Sequence, residues 1–289
     1  MKMTILVIGA TGKTGRAVVD ALTARGVKVA AASRTPETVE AATHDAGPVR
    51  AVRFDWADRA TWAPALEGAE GLYVVGPTAH PTGEVLVGEL LAEAADVRRV
   101  ALLSVIGADR LPPEVMMADW ERDVRAAGAA GKEWTILRPN WFIQNFGNAF
   151  AAPLRDKGVL ELPAADAALS FVDTRDVAEV AAAALTEDGH AGRIYDITGP
   201  ESLTYAEALK TIAAAAGRDL TYRAISHEQA AENLRAAGVR ERAITWQRGL
   251  YDLIIDGANA AVTPVVQQVT GHPARNLAQY AAEHAATWR

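Results

Sequence analysis

Three glycines at fixed spacing stand near the head of the chain, in Gly9-Ala10-Thr11-Gly12-Lys13-Thr14-Gly15, directly after a short apolar run. In a G-x-x-G-x-x-G turn the first glycine permits a tight bend and the second lets backbone approach a pyrophosphate. The third allows a helix to pack closely on a strand, so that the N–H groups opening the helix face the phosphates. The chemistry predicted is dinucleotide binding by Gly9, Thr11, Gly12, Lys13, Thr14 and Gly15. Which dinucleotide is decided about 20 residues later, where an NAD site carries Asp or Glu for the ribose hydroxyls and an NADP site carries cations for the 2′-phosphate. This chain has Ala31-Ala32-Ser33-Arg34 there. With no acid present, Ser33 and Arg34 point to NADP(H), because a guanidinium can fork onto a phosphate and stack on adenine. Lys13 and Arg16 add positive charge at the same helix mouth.

Phe54-Asp55-Trp56-Ala57-Asp58 follows a third apolar run. Asp55 is placed to accept from the adenine amino group while Trp56 packs on the ring, and Asp58 is the better cap for the next helix. Gly76-Pro77 is predicted to bring backbone close to the cofactor at the point where strand order reverses. His80, in the following loop, is a candidate proton donor, set against the plainer reading of a solvated loop histidine. The six histidines include no His-x-x-x-His pair, and no metal site is predicted. There is no cysteine, which excludes disulfides, thiolate-held metals and a cysteine nucleophile. No Gly-x-Ser-x-Gly elbow occurs, which argues against an α/β-hydrolase.

The elements that must position these residues alternate. Apolar runs at Met3–Ile8, Val27–Ala32, Val49–Phe54, Gly71–Val75, Val100–Ser104 and Trp134–Leu137 read as strands. Segments of helical period at Thr14–Arg25, Glu37–Ala46, Arg59–Leu66, Gly83–Val97 and Glu114–Gly131 lie between them. Such alternation predicts a doubly wound parallel sheet of the Rossmann type. Beyond Arg138 the alternation becomes irregular. Helices are expected at Val177–Leu185, Tyr205–Ala216, Glu228–Ala237, Arg240–Gly257 and Leu277–Thr287, with strands at Arg193–Thr198 and Leu220–Ile225. Thr204 with Glu207, and Ser226 with Gln229, have capping-box spacing. The expected organisation is an NADP-binding core over residues 1–138 and a smaller, mostly helical substrate lobe over 139–289, some of whose elements return to the sheet.

At 289 residues, 22 % charged and 50 % hydrophobic, the chain has ample material for a core. Its net charge of -7 argues against nucleic acid or an anionic membrane as partner. The N-terminal apolar run ends in Gly9-Ala10-Thr11-Gly12 instead of a cleavage site, and no stretch reaches the roughly 18 apolar residues of a membrane span. A soluble, cytoplasmic protein acting on a small molecule, as monomer or homodimer, is expected.

The glycine turn, Leu103-Ser104, and the run Trp134-Thr135-Ile136-Leu137-Arg138-Pro139-Asn140-Trp141-Phe142-Ile143-Gln144-Asn145-Phe146 resemble the NmrA-like, atypical branch of the short-chain dehydrogenases/reductases. With Gly199-Pro200-Glu201-Ser202-Leu203-Thr204-Tyr205 and Val269-Thr270-Gly271-His272-Pro273, the chain looks closest to the ergot-alkaloid agroclavine/festuclavine dehydrogenase group. It is also similar to NADPH:quinone oxidoreductases, triphenylmethane reductases and non-catalytic nucleotide-sensing regulators. The resemblance implies a Rossmann domain with a substrate lobe and NADPH-dependent reduction of an iminium or related acceptor. It implies that Ser104 matches the family serine, with backbone satisfaction at a strand end as the equal alternative. Asn140, Trp141 and Asn145 are then expected near the nicotinamide or substrate, and Trp141 with Phe142 would form an aromatic wall or pack in the core.

Conventional members of that superfamily carry Tyr-x-x-x-Lys. Aligning Glu121 with the glutamate that follows this motif puts Pro113 at the tyrosine and Met117 at the lysine, and no Tyr-x-x-x-Lys occurs elsewhere. Ketone reduction needs a proton for the developing alkoxide. An iminium, a quinone or a conjugated enone does not need a tyrosine donor. The sequence therefore favours hydride transfer to an electrophilic acceptor, with an NADP(H)-sensing regulator, or a ketoreductase or epimerase using an atypical acid, as alternatives.

Overall fold

The computed structural model describes residues 3–42, 49–78, 83–111 and 116–289. In chain order the first elements are β1 (Thr4–Ile8), α1 (Lys13–Ala24), β2 (Lys28–Ser33), α2 (Pro36–Ala42), β3 (Val49–Arg53), α3 (Trp62–Leu66), β4 (Gly71–Val75), α4 (Gly83–Glu93), β5 (Arg99–Leu103), α5 (Met117–Ala129) and β6 (Glu133–Pro139). There follow α6 (Gln144–Gly147), α7 (Ala151–Lys157), β7 (Val159–Leu162), β8 (Ala168–Leu169), α8 (Thr174–Thr186) and β9 (Arg193–Ile197). The chain ends with β10 (Leu203–Thr204), α9 (Tyr205–Ala216), β11 (Thr221–Ala224), α10 (His227–Ala236), α11 (Glu241–Ile255), α12 (Val265–Thr270) and α13 (Leu277–Glu283).

The chain divides into two compact units. Unit 1 comprises residues 1–108, 116–138 and 174–196, and unit 2 comprises 109–115, 139–173 and 197–289. Thus α8 and most of β9 belong with the first unit. Unit 1 is built on a seven-stranded sheet of order β3-β2-β1-β4-β5-β6-β9. The pairs β1–β2, β2–β3, β1–β4, β4–β5 and β5–β6 all run parallel. Order reverses between β1 and β4, the position where a doubly wound sheet opens its crevice at the carboxyl ends of the strands. Ile5, Leu6 and Val7 of β1 are completely buried, as a central parallel strand covered on both faces requires. Helix α1 packs with α8, and α4 with α5. The expected Arg59–Leu66 helix is divided: Arg59–Thr61 forms a 3-10 turn, capped by Asp58, which accepts from the Ala60 amide at 3.3 Å.

Unit 2 has a core of its own. Phe146, Phe171 and Tyr205 meet with ring centroids 5.3–6.0 Å apart, and Ile212, Tyr251, Leu277 and Trp288 are buried in the same cluster. Two small sheets bind its ends: β11 pairs parallel with β7 and β10 antiparallel with β8. The capping box at Thr204 forms, its hydroxyl accepting from the Glu207 amide at 3.2 Å while Glu207 accepts from the Thr204 amide at 2.9 Å. Thr204→Ala is expected to cost about 1 kcal/mol, read as a shift in urea midpoint with unchanged slope. Ser226 likewise caps α10, accepting from the Gln229 amide at 3.1 Å. Among the described residues no helix is long and apolar enough to cross a membrane.

Candidate active site

All paired strands of unit 1 point their carboxyl ends to one edge of the sheet, so the turns after β1, β2, β3, β4 and β5 share that edge. The first is the glycine turn. Gly9 has φ +74°, and the Gly12 amide donates to the Gly9 carbonyl at 2.8 Å. A Cβ built on Gly15 would lie 2.1 Å from the Gly9 oxygen, a separation no side chain can adopt, so α1 can start this close to β1 only with glycine here. Helix α1 opens at Gly12 without a side-chain cap and with no acid in its first turn. Thr14 and Gly15 are buried, whereas Thr11, Gly12, Lys13 and Arg16 are exposed at the mouth. Uncapped amides, the positive end of the helix dipole and two exposed cations suit a phosphate group. The residues present therefore fit a dinucleotide's pyrophosphate.

At the end of β2, Ser33 is buried and its hydroxyl accepts from the Thr35 amide at 3.2 Å. Arg34 beside it is exposed. After β3, one oxygen of Asp55 accepts from the Ala57 amide at 3.0 Å, and the Asp55 carbonyl accepts from the Trp62 indole at 3.0 Å. Trp56 donates its indole N–H to the Val75 carbonyl at 3.2 Å and stands edge-on to Phe54 and Trp62, with centroids at 5.0 and 5.7 Å. Its main attachment is thus to the protein, and it ties the end of β3 to the end of β4. There Gly76 and Pro77 are buried. A Cβ on Gly76 would meet the Trp120 ring at 2.5 Å, so glycine is required for α5 to seat its tryptophan against this turn.

Ser104, after β5, is 2 % exposed, and its hydroxyl donates to Glu121 at 2.6 Å. Glu121 is itself 1 % exposed and accepts from Arg138 through Nε at 2.8 Å and Nη2 at 2.7 Å, and from Arg125 at 2.9 Å. The Ser104 hydroxyl is thus held on a carboxylate that two guanidinium groups also hold. Glu121 entered the sequence reading only as a register marker. Its signal was its place on the buried face of α5 with Met117, Trp120 and Val124, where an acid has to be paired. Met117, at the position of the missing lysine, is buried and apolar. Pro113 and His80 lie outside the described residues.

In unit 2, Asn140 is held on all sides. Its amide nitrogen donates to Ser170 at 2.7 Å and to the Asn259 carbonyl at 2.8 Å, while its oxygen accepts from the Trp141 amide and from the Asn259 side chain, both at 2.8 Å. Every hydrogen-bonding position of the amide is taken, and the residue is 4 % exposed. Asn140 therefore fastens unit 2 internally. Trp141 packs against the unit 2 core and lies 5.1 Å from Tyr251, the rings tilted by 39°. Phe142 bridges to Val172. Neither Asn259 nor Tyr251 was singled out in the sequence; each meets its partner from more than a hundred residues away, so no local pattern marks it.

A model of the NmrA-like family matches residues 1–249. The chain belongs to the NmrA-like family. NAD(P)H azoreductase of Xenophilus azovorans is 33 % identical over 289 residues, covering 98 % of this chain and 99 % of that protein. The (4-alkanoyl-5-oxo-2,5-dihydrofuran-3-yl)methyl phosphate reductase of Streptomyces griseus is 34 % identical over 284 residues, covering 97 % and 98 %. Agroclavine dehydrogenase of Claviceps fusiformis is 26 % identical over 298 residues, covering 99 % of each, so the ergot-alkaloid enzymes are relatives at lower identity than these two bacterial proteins. In fold, the NADPH-dependent quinone oxidoreductase QOR2 of Escherichia coli, solved with NADPH, superposes with a TM-score of 0.80 at 23 % identity, covering 97 % of this chain and 99 % of its own.

Proposed function

We propose that this NmrA-like protein is an NADPH-dependent oxidoreductase that passes hydride to a small organic acceptor already electrophilic as bound: an iminium, a quinone or a conjugated enone. Unit 1 is the NADP-binding core and unit 2 the acceptor-binding lobe. The observation that carries the reading is the uncapped mouth of α1, closed to side chains at Gly15 and followed at the end of β2 by an exposed Arg34 where an NAD site would hold a carboxylate. The reductases among its relatives support the same class of reaction.

When bound, the reduced nicotinamide supplies the hydride. The first amides of α1, with Lys13, would hold the pyrophosphate, and Arg34 with Ser33 would receive the 2′-phosphate. Asp55 keeps one oxygen on the Ala57 amide, and its other oxygen would accept from the adenine amino group. Gly76 and Pro77 give a smooth, buried backbone edge against which the nicotinamide half can lie. Ser104 is held on Glu121 at the end of β5. With neither tyrosine nor lysine at the usual positions, the chain contributes binding, alignment and exclusion of water, which suffices only for an acceptor that takes hydride without an acid catalyst.

A panel of iminium, quinone and enone acceptors tests this directly, with NADPH consumption followed by absorbance. Oxidation is expected with at least one class. Tight NADPH binding with no turnover on any of them would overturn the reductase reading in favour of a cofactor-sensing regulator.

A further inference from the structure

The carboxyl ends of three strands of unit 1 are tied to one helix by two consecutive buried residues of α5, Trp120 and Glu121. Glu121 accepts from Ser104, after β5, at 2.6 Å and from Arg138, in β6, at 2.7 and 2.8 Å. Trp120 meets the turn after β4. Its six-membered ring lies against Gly76, where a Cβ would fall 2.5–2.6 Å from Cε3, Cζ3 and Cη2. The same turn is gripped from two further directions. The Val75 carbonyl accepts from the Trp56 indole at 3.2 Å. The Gly76 carbonyl accepts from the Thr78 amide at 3.0 Å, closing a three-residue turn on Pro77, whose ring fixes φ. We propose that Trp120 is a positioning residue for the nicotinamide: acting through Gly76, its ring sets the height of the backbone edge on which that half of the cofactor rests. The inference rests on the reductase reading and names the residue that aligns its cofactor.

The ring is a fixed stop for the turn. Trp120 is 1 % exposed, and in a close-packed interior a side chain of that size cannot swing aside without displacing its neighbours. Nor can α5 slide along the strands, because Glu121, next in the chain, would leave its hydrogen-bonded cations. The contact with Gly76 is also separable from backbone conformation. Gly76 is not among the glycines with positive φ, so its backbone would accept alanine, and the three atoms that an added Cβ meets first all belong to Trp120. A substitution at Gly76 therefore presses on this ring. The positions assigned to the phosphates lie on other turns, at the mouth of α1 and at Arg34. A shift of the β4 turn should then move the nicotinamide without releasing the cofactor.

Gly76→Ala pushes the turn outward, Trp120→Leu lets it sink, and the double variant puts the added methyl into space that the ring vacates. Each is checked by its thermal midpoint. With the full chain saturated by NADPH and the nicotinamide excited directly, its fluorescence lifetime reports how firmly the ring is held. Both single variants are expected to shorten the lifetime toward that of free NADPH while its affinity changes less than about threefold. The double variant should regain most of the wild-type lifetime, as coupled neighbours do. Hydride transfer should fall about ten- to hundredfold in each single variant, the scale of a misplacement near 1 Å. A residue that only stabilised α5 would lower the thermal midpoint and leave the lifetime of the folded protein unchanged, which would overturn the proposal. So would a Gly76→Ala defect that Trp120→Leu fails to relieve, or an NADPH affinity that falls as far as the transfer rate. Should Trp120→Leu not fold, the lifetime of Gly76→Ala against the wild type decides alone. Turnover separates this result from the reductase reading. Lifetimes that shorten and recover in a protein that oxidises NADPH with no acceptor uphold the positioning and overturn the reductase. NADPH oxidation with kcat and lifetime unchanged in both folded single variants overturns the positioning and leaves the reductase standing.

Discussion

Glu121→Ala is expected to destabilise the protein by about 3–5 kcal/mol, the range seen when one member of a buried charged cluster is removed. The Glu121 carboxylate is 1 % exposed and accepts four hydrogen bonds, from Ser104, twice from Arg138 and from Arg125. Arg138 is the partner that makes the loss large, since its side chain is 12 % exposed and its charge would keep its desolvation cost without the carboxylate that offsets it. Arg125, at 42 % exposure, can turn to water and adds little. Ser104 would be left with a buried donor at the end of β5. Glu121→Gln keeps the shape but aims an N–H₂ at a guanidinium, and is expected to fall between the two. Urea unfolding measures both variants; a loss below about 1 kcal/mol for the alanine would show that the cluster does not stabilise the sheet edge as described.

This cluster also shows where reading the sequence succeeds and where it stops. The strands of unit 1 were legible because each carries its own signal: β4 spans the expected Gly71–Val75, and β1 and β2 differ from expectation by a residue at their ends. Local capping chemistry was equally legible, and Thr204, Ser226 and Asp58 cap as their spacing predicts. The glycine turn is a contiguous motif, so its geometry followed from order alone. Unit 2 was harder for a physical reason. Strand β7 was not anticipated, because four residues pairing with β11 some sixty positions later leave no local periodicity. Asn140 illustrates the same limit at a site. Its motif placed it near chemistry, but three partners drawn from Ser170 and Asn259 consume its amide, and only the fold brings those together. Ser104 was weighed between catalysis and backbone satisfaction, and the structure gives it a third occupation on a glutamate that lies on the next helix.

Arg34→Glu is expected to weaken NADPH binding by about a hundredfold or more while changing NADH affinity less than about tenfold. The 2′-phosphate is the sole difference between the two cofactors, so the comparison isolates the contact at the end of β2. Arg34 is exposed, which leaves its guanidinium free to settle on a phosphate bidentately, and charge-assisted pairs of that geometry are among the stronger polar contacts available. Reversal does more than delete the pair. It places a carboxylate next to a group carrying close to two negative charges, in a neighbourhood where Ser33 supplies no counter-charge. With NADH the same carboxylate can accept from the ribose hydroxyls, the arrangement an NAD site uses, so the loss there should be slight or become a gain. Because the site is open to solvent, raising the salt concentration should shrink the NADPH effect as screening sets in over about 8 Å, while the NADH values stay nearly constant. Calorimetric titration of both cofactors against both proteins supplies the four constants required. Equal losses for NADPH and NADH would place the 2′-phosphate elsewhere and remove the basis for an NADP site at Arg34. A hundredfold split that narrows with salt would locate it at this side chain, and would leave Lys13 and Arg16 to the pyrophosphate that both cofactors share.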